Sequence, residues 1–318
     1  MIGPMYNAVT EGKSFGKTDL SVSRLGLGTA ELGFAYGLGN PELPSEESAT
    51  ALLSAAVDAG VTFFDTAQYY GLAEERIGAS GILKNRAIVV CTKCAQFLER
   101  GEVYNGEEIE QKIREQIDDS RRQLGLDVLP LVLLHGPSAQ QLEEGVLSEL
   151  MRRLQEEGMV CHWGASVRGE EPALAAIHAG ADVIQVAYSI ADQRMAKKVF
   201  PAAQERGTGI VNRSIYLKGV FAGKAEYLPS SLAPLKVVAE KAQCIADDLN
   251  ISLPELALRF TLSEPAIGVG IIGTAKQKHL EQAVQAISRG VLPDNVVGLL
   301  RGLAIDDPEQ VDAARWPT

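Results

Sequence analysis

Short runs of apolar, β-favouring residues alternate along the chain with longer segments in which apolar residues recur at helical spacing. The short runs are almost continuously apolar, as expected for strands that are covered on both faces. The eight predicted strands span residues 22–28, 61–66, 87–93, 129–134, 160–165, 183–187, 209–211 and 269–272. The predicted helices span residues 46–59, 74–81, 107–124, 140–157, 171–179, 195–206 and 231–263, the last interrupted near Pro254. This order of elements predicts a parallel sheet.

Eight strand–helix units within about 280 residues favour one closed α/β barrel, a (β/α)8 TIM barrel, over an open doubly wound sheet. No Gly-x-Gly-x-x-Gly follows the first strand, which argues against an open dinucleotide-binding sheet. No linker, charge block or low-complexity stretch divides the chain. We therefore predict a single domain over residues 1–318, in which residues 1–13 form a loose N-terminal tail.

The charge balance is acidic, with 30 Lys and Arg against 41 Asp and Glu and a formal net charge of −11. Nucleic-acid or anionic-membrane binding needs clustered Lys and Arg, so neither partner is expected. No apolar run approaches the ~20 residues that span a bilayer. The first residues lack the basic and apolar regions of a signal peptide. We expect a soluble cytoplasmic protein.

Cysteine and histidine usage points to neither disulfides nor a metal. Four cysteines in a chain of this length do not make a disulfide framework. Cys91 and Cys94 have the C-x-x-C spacing of redox motifs, but they straddle a predicted strand end, whereas the redox motif begins a helix. Because the histidines and cysteines are scattered, we expect no metal site.

Ionisable residues stand at the carboxyl ends of three consecutive predicted strands, where such barrels carry their reactive groups. Asp65 ends the second strand, Lys93 ends the third, and His135 follows the fourth. Tyr70 lies in the loop five residues beyond Asp65. Consecutive parallel strands are ~4.8 Å apart, so these side chains should lie within reach of one another. A structural role explains any one of them, but the joint placement favours a catalytic set.

This combination suits the chemistry of a carbonyl group. A lysine ammonium beside a phenol favours the phenolate and makes a tyrosine a usable acid near neutral pH. A carboxylate beside the lysine offsets the cost of burying its charge. A neutral histidine can donate a hydrogen bond to a carbonyl oxygen and orient it. None of these groups supplies reducing electrons, so a cofactor must do so.

The same residues give the chain a family resemblance. The matching motifs are Leu25-Gly26-Leu27-Gly28-Thr29, Phe64-Asp65-Thr66-Ala67-x-x-Tyr70-Gly71 with Glu74-Glu75, Thr92-Lys93, Leu133-Leu134-His135, Gly164-Ala165-Ser166, Gln185-Val186-x-Tyr188-Ser189 and Ile272-Gly273-Thr274. From about residue 15 to residue 290, the chain resembles the aldo-keto reductase superfamily. The resemblance implies an NAD(P)(H)-dependent oxidoreductase that interconverts aldehydes, ketones or aldoses with alcohols.

The resemblance also implies roles for single residues. Tyr70 is the expected general acid and base, chosen over Tyr69 because the family tyrosine directly precedes this glycine. Asp65 and Lys93 would modulate it, and His135 would orient the carbonyl. The residues expected to bind the cofactor are Gly28 and Thr29 near the nicotinamide ribose, Ser166 and Gln185 at the carboxamide, and Gly273 and Thr274 at a phosphate where the last helix opens.

The chain departs from the family pattern at several cofactor-binding positions. Val167 replaces the usual Asn after the serine, and Arg213 stands where an aromatic ring usually stacks on the nicotinamide. A guanidinium beside an oxidised, cationic ring is unfavourable. Arg213 could instead bind an anionic group, and Tyr216 is the stacking ring if the alignment slips.

The final helix departs as well. Ala283 replaces the Asn on the adenine side, with Gln282 before it, and His279 replaces a frequent Arg. Lys276 and Lys278 either bind a 2′-phosphate or are ordinary solvated charges, so NADP(H) is only slightly favoured over NAD(H).

A small carbonyl compound or sugar is the expected substrate. Its pocket is predicted to include Tyr69, Phe97 and Trp163, with the segment 216–229 covering the cofactor and Trp316 folding over the barrel mouth. Three other functions stay open. They are a lyase with Lys93 as Schiff-base nucleophile, a redox-neutral enzyme that retains NAD(P), and a non-catalytic cofactor-binding regulatory subunit.

Overall fold

A computed structural model describes residues 13–35, 42–102 and 104–316. Eight parallel strands close into a barrel in which each strand pairs with its neighbours in the chain and the eighth pairs with the first. The strands are β1 (Leu25–Gly28), β2 (Phe63–Asp65), β3 (Val89–Cys94), β4 (Leu129–His135), β5 (Val160–Ser166), β6 (Val183–Ala187), β7 (Gly209–Arg213) and β8 (Val269–Gly273). The prediction of a (β/α)8 barrel is confirmed.

Helices follow the strands and cover the outside of the barrel. They are α1 (Ala30–Gly33), α2 (Glu46–Asp58), α3 (Ala73–Ser80), α4 (Gly106–Leu124), α5 (Ala139–Glu143), α6 (Val146–Glu156), α7 (Glu170–His178), α8 (Val199–Arg206), α9 (Ala233–Asp248), α10 (Leu253–Leu262), α11 (Gln277–Ser288), α12 (Asp294–Arg301) and α13 (Pro308–Val311). The longest, α4, begins with a capping box in which Asn105 and Glu108 each accept the other's backbone N–H at 3.0 Å. Within the described ranges, no helix is long and apolar enough to cross a membrane.

Alternation along the strands separates two apolar layers. Phe63, Leu131 and Val211 belong to a cluster inside the barrel, whereas neighbouring residues such as Phe64 and Val132 pack outside it against the helices. Successive side chains of a strand point to opposite faces. The parity of a residue therefore decides whether it reaches the barrel interior or the helical layer.

A short hairpin lies beneath the amino-terminal end of the barrel. Its strands, Lys13–Ser14 and Ser21–Val22, pair antiparallel. Phe15 joins the interior cluster and meets the Phe63 ring edge to face, with 6.1 Å between centroids. Val22, predicted to begin the first barrel strand, thus belongs to the hairpin. Of the expected tail, residues 1–12 lie outside the described residues.

Several predicted helices are divided. The helix predicted at 140–157 breaks into α5 and α6 at Gly145, whose φ of +81° is left-handed and does not continue a helix. The helix predicted at 231–263 breaks between α9 and α10, where Asn250 has a φ of +51°. Pro254 lies in the first turn of α10, a position where its missing N–H costs nothing. The helix after β8 is followed by α12 and α13, so it is not the last.

Candidate active site

A cleft of about 1280 Å³ opens at the carboxyl ends of the strands. Asp65, Lys93 and His135 end or nearly end β2, β3 and β4, and each is an even number of residues from an inward apolar neighbour such as Phe63, Cys91 or Leu133. All three therefore enter the upper part of the barrel interior. Asp65 and His135 line the cleft, while Lys93 lies beneath its surface.

Lys93 and Asp65 form a buried ion pair. The Lys93 Nζ lies 2.7 Å from Asp65 Oδ1, and it also donates to the carbonyl oxygen of Thr66 at 2.8 Å. Only 1% of Lys93 is exposed. Burial by itself would lower the pKa of Lys93, but the attraction of Asp65 and of the nearby Tyr70 and Cys91 raises it instead. Lys93 is therefore a fixed ammonium.

Close contact between two backbone segments holds Tyr70 in place. A Cβ on Gly33 of α1 would overlap the carbonyl group of Tyr70, and the Leu72 N–H donates to the Gly33 oxygen at 3.2 Å. Gly71 turns the chain with a φ of +54°, a value that favours glycine. The absence of a side chain at both positions lets the Tyr70 loop lie against α1.

Tyr70 is surrounded by the other members of the predicted set. The Lys93 Nζ lies 4.9 Å from the centre of the Tyr70 ring. The His135 ring meets Tyr70 edge to face at 6.0 Å, and Phe34 does the same from another side, also at 6.0 Å. The structure thus brings together Asp65, Tyr70, Lys93 and His135, as the sequence predicted for their positions.

His135 is held as a neutral imidazole. Burial, then the charges of Lys93, Arg213 and Arg168, lower its pKa to about 3. Its Nδ1 is buried and has no hydrogen-bond partner among the described residues. His135 lines the cleft, and a neutral imidazole ring can donate one hydrogen bond.

A chain of hydrogen bonds joins the ion pair to the next strands. Gln185 on β6 donates from Nε2 to Asp65 Oδ1 at 2.7 Å, and Ser166 on β5 donates to Gln185 Oε1 at 3.0 Å. Ser166 and Gln185 both line the cleft. Gly28 also lines it, and a Cβ there would lie 2.9 Å from Ile271. Thr29 is fully buried beneath the cleft and donates to the Asp65 carbonyl at 2.9 Å.

Arg213 enters the cleft from the end of β7. Its Nη2 donates to the carbonyl oxygen of Val167 at 2.9 Å, and its Nη1 donates to Ser214 Oγ at 3.3 Å. Ser214, Leu217 and Lys218 all have positive φ, between 45° and 64°. Such backbone costs about 1–3 kcal/mol per residue and concentrates at functional sites. The segment after β7 is thus held against the cleft in a strained conformation.

The far end of the cleft lies at the turn between β8 and α11. Gly273, Thr274, Lys276, His279 and Gln282 all line it. The Thr274 side chain is 3% exposed because it bonds within the turn, accepting from the Lys276 N–H at 3.0 Å and lying 3.1 Å from His279 Nδ1. Burial, then Lys276 and other lysines, lower the pKa of His279. Helix α11 starts at Gln277, three residues after Thr274, so the expectation that Gly273 and Thr274 open the helix is wrong.

Comparison with known proteins identifies the family. The model of the aldo/keto reductase family matches residues 24–305, which is most of the chain. The chain belongs to this family. It is 31% identical over 299 residues to a D-threo-aldose 1-dehydrogenase from a Pseudomonas species, covering 83% of this chain and 88% of that protein. It is 26% identical to an L-galactose dehydrogenase from Arabidopsis thaliana, covering 87% and 88%.

The fold is also that of solved aldo-keto reductases. The holo form of an aldo-keto reductase from Bacillus halodurans superposes with a TM-score of 0.78 at 24% identity, covering 94% of this chain and 97% of that one. The family and its named dehydrogenase relatives make this chain an oxidoreductase.

Two residues predicted for the substrate pocket of this aldo-keto reductase do not reach the cleft. Trp163 is 2% exposed and packs in the outer layer between the barrel and its helices. Gly164 and Ser166 face the barrel interior, and Trp163, which is an odd number of residues from both, faces the opposite side of β5. Phe97 is 4% exposed and packs edge to face on Tyr104 at 5.3 Å. These placements correct the prediction for both rings. Tyr69 does line the cleft and is half exposed.

Other residues of the cleft were missed from the sequence. Arg168 forms ion pairs with Glu99 at 2.7 Å and Asp312 at 3.2 Å, so it joins the segments after β3 and β5 to the C-terminal segment. Lys218 donates to the Ala313 carbonyl at 3.0 Å. Arg168 and Glu99 follow strand ends and could have been found by that rule. The C-terminal segment was expected at the barrel mouth because of Trp316, and its residues 311–314 do line the cleft. The Trp316 ring itself is 8% exposed and does not line the cleft, which corrects the prediction for that residue.

Glu31 is a second missed residue. It follows β1, lines the cleft, and its Oε2 accepts the Ala275 N–H at 3.1 Å. Burial raises its pKa, against the effects of that hydrogen bond and of Lys224 and Lys276. A carboxylate therefore occupies one backbone donor of the turn that was expected to receive a phosphate. In the described part of the chain, no three His, Cys, Asp or Glu residues are grouped to hold a metal.

Proposed function

We propose that this chain is an NAD(P)(H)-dependent oxidoreductase that interconverts a carbonyl group and an alcohol, with Tyr70 as general acid and base. The observation that carries the proposal is the placement of Tyr70 between a buried Lys93–Asp65 ion pair and a neutral His135 at the base of a long cleft. Tyr70, the ion pair and His135 would each serve a different part of one reaction. A cluster with only a structural role would not need this combination.

The residues of the cleft fit a nicotinamide dinucleotide. Ligand pockets commonly measure about 300–1,000 Å³, and this one, at about 1280 Å³, runs from His135 to Gln282. Gln185 has one amide hydrogen and one lone pair left for a carboxamide, and the Ser166 oxygen can accept. Gly28 and the exposed Gly273 leave room for close approach. When bound, the cofactor supplies or accepts the hydride.

The chain's own groups handle the proton and the oxygen. Tyr70 gives its phenolic proton to the carbonyl oxygen during reduction and takes it back during oxidation. The Lys93 ammonium, 4.9 Å from the ring, stabilises the phenolate that remains. A ring N–H of His135 holds the carbonyl oxygen in position through a hydrogen bond. Asp65 keeps Lys93 charged and in place.

Lys93 is unsuited to the alternative role of a Schiff-base nucleophile. A nucleophilic lysine must be neutral and must reach the substrate. Lys93 is 1% exposed, it is paired with Asp65, and its pKa is raised by that charge despite burial. The geometry therefore supports an electrostatic role.

The proposed substrates are small carbonyl compounds or sugars. Two relatives are named for sugars, a D-threo-aldose and L-galactose, and the polar lining of Tyr69, Gln96 and Glu99 suits hydroxyl groups. We keep a slight preference for NADP(H), because Lys276 lines the cleft and presents an exposed charge. The Glu31 carboxylate, which accepts the Ala275 N–H in the same turn, opposes the binding of an additional phosphate there.

Replacing Tyr70 with Phe tests the proposal. Tyr70→Phe should lower kcat by about 10²–10⁴-fold and leave NADPH binding, followed by the fluorescence of the nucleotide, within about threefold of wild type. Tyr69→Phe is the matched comparison, because it removes a neighbouring phenol, and it should lower kcat by less than about tenfold. Turnover retained by Tyr70→Phe would refute the assignment.

The same measurements separate the remaining alternatives. A redox-neutral enzyme would purify with bound nucleotide and convert substrate without net consumption of NAD(P)H. A regulatory subunit would bind the nucleotide and show no turnover with any small aldehyde or aldose. Steady consumption of NAD(P)H by the isolated chain would exclude both.

A further inference from the structure

Glu74 is a buried carboxyl group that the proposed reaction does not use. It is the second residue of α3 and is 1% exposed, whereas its neighbour Glu75 is exposed. Its Oε1 accepts a hydrogen bond from the Thr92 hydroxyl on β3, and its Oε2 accepts one from the Ser120 hydroxyl on α4 at 3.1 Å. Both hydroxyl residues are buried as well. Glu74 therefore joins α3 to a barrel strand and to the next helix.

A need for stability alone does not call for a carboxyl group at this position. Burial raises the pKa of Glu74, against the effects of the two hydroxyl groups and of the Lys93 charge, because removal from water disfavours the carboxylate. Replacing a buried hydrogen-bonded pair with apolar groups of the same shape can be nearly neutral or stabilising. What an apolar side chain could not do is fix the direction of the contact with the Thr92 hydroxyl.

The segment that carries Tyr70 is fastened to β3 at both of its ends. At the start, the Gln68 N–H donates to the backbone oxygen of Lys93 at 3.0 Å. At the end, Glu74 accepts the hydrogen bond of Thr92, the residue before Lys93. The first attachment belongs to the backbone, whereas the second depends on two side chains that substitutions can remove.

We propose that Glu74 is a positioning residue, which holds Tyr70 at its working distance from Lys93. The inference rests on the proposed function. The Ala73 N–H donates to the Tyr70 backbone oxygen at 3.0 Å, so a displacement of the first turn of α3 is passed on to Tyr70. The Lys93 Nζ lies 4.9 Å from the centre of the Tyr70 ring, and its attraction for the phenolate weakens with distance.

Two substitutions separate positioning from general support, because each removes one hydroxyl group from the same carboxyl. Thr92→Val removes the link to β3, and Ser120→Ala removes the link to α4. Both should lower the midpoint of urea unfolding. With NADPH and glyceraldehyde, a small aldose, Thr92→Val should lower kcat about tenfold or more, since a misplacement of about 1 Å can cost about 10²-fold. Ser120→Ala should keep the kcat of wild type, and both variants should keep its Kd for NADPH.

Substitutions of Glu74 itself provide a second comparison. Glu74→Ala should lower kcat at least as much as Thr92→Val does. Glu74→Gln should restore most of the activity, because its amide oxygen accepts from one hydroxyl group and its amide nitrogen donates to the other. Glu75→Ala removes the exposed neighbouring carboxylate and should keep the kcat of wild type. If Glu74→Ala does not fold, Thr92→Val and Ser120→Ala still decide the question.

The pH profile adds a measurement that loss of stability alone would not change. The fall of kcat/KM for reduction at high pH reports the loss of the Tyr70 proton. The Lys93 ammonium favours that loss, so Thr92→Val should move the fall to higher pH, whereas Ser120→Ala should leave it in place. Arg213 also acts on Tyr70, but from β7, which neither substitution alters.

Two results would overturn the inference and leave the proposed function standing. One is an active wild-type enzyme in which Thr92→Val changes neither kcat nor the pH profile. The other is a loss of kcat in Thr92→Val and Ser120→Ala alike, in proportion to their loss of stability, because Glu74 would then only support the fold. Full turnover by Tyr70→Phe would overturn the proposed function together with the inference.

Discussion

The Lys93–Asp65 ion pair should be worth more to stability than its surface counterparts, because neither partner can turn to water when the other is removed. The Lys93 and Asp65 side chains are 0% and 8% exposed. Breaking such a buried pair costs about 3–5 kcal/mol. At an unfolding entropy of about 2.1 cal/mol/K per residue, 1 kcal/mol corresponds to about 1.5 °C for a chain of 318 residues. Lys93→Met and Asp65→Asn should therefore each lower Tm by about 5–7 °C.

The double variant provides the decisive comparison. It removes both charges, so it should cost no more than either single change, and the cycle should show a coupling of about 3 kcal/mol or more. The stability of wild type, the two single variants and the double variant is measured at pH 7 by Tm and by the midpoint of urea unfolding. Arg122→Met removes a guanidinium from an exposed pair with Asp119 and should shift Tm by less than about 1 °C. Additive losses in the double variant would refute the argument that the two charges compensate each other.

Three further predictions follow from other parts of the structure. Gly33→Ala should lower kcat at least about tenfold by displacing the catalytic loop, whereas Gly298→Ala, in open space on α12, should be neutral or slightly stabilising; equal activities would contradict this. Asp182, and after it Asp19, raise the pKa of His162 against the effect of burial. Protonated His162 therefore stabilises the folded chain below about pH 6.5, and this stabilisation is lost as the pH rises through the raised pKa. The fall in Tm between about pH 6 and 9 should be smaller in His162→Gln than in wild type. An equal fall in both proteins would contradict this role of His162. In fluorescence titrations, Glu31→Gln should increase the affinity for NADPH relative to NADH, and Lys276→Met should decrease it. Unchanged relative affinities in both variants would show that the turn after β8 receives no phosphate.

The sequence predicted the barrel well because its strands are apolar on both faces and end at chemically distinctive residues. Asp65, Lys93 and His135 were located by one rule, that parallel strands present their carboxyl ends at the same edge. The error at Trp163 was avoidable, since its parity relative to Ser166 already places it on the outer face of β5.

Other features depend on contacts that no local pattern contains. Phe97 follows Ala95, whose φ of +63° redirects the chain although the residue is not a glycine. The hydrogen bond from Arg213 to the backbone oxygen of Val167 joins residues two strands apart in the barrel. The break at Gly145 had a signal in the sequence, but a single glycine is often tolerated within a helix, so the residue type alone did not settle it.

The ties between Arg168 and the C-terminal segment have a consequence for how the enzyme responds to its surroundings. The barrel is closed by buried apolar side chains, which salt affects little, whereas the Arg168 pairs with Glu99 and Asp312 are partly exposed and are screened at high ionic strength. High ionic strength should therefore weaken the contacts that join the segments after β3 and β5 to the C-terminal segment, and leave the barrel beneath the cleft unchanged. The segments at the mouth of the cleft are thus joined by contacts that salt weakens, whereas the buried Lys93–Asp65 pair beneath them is screened much less.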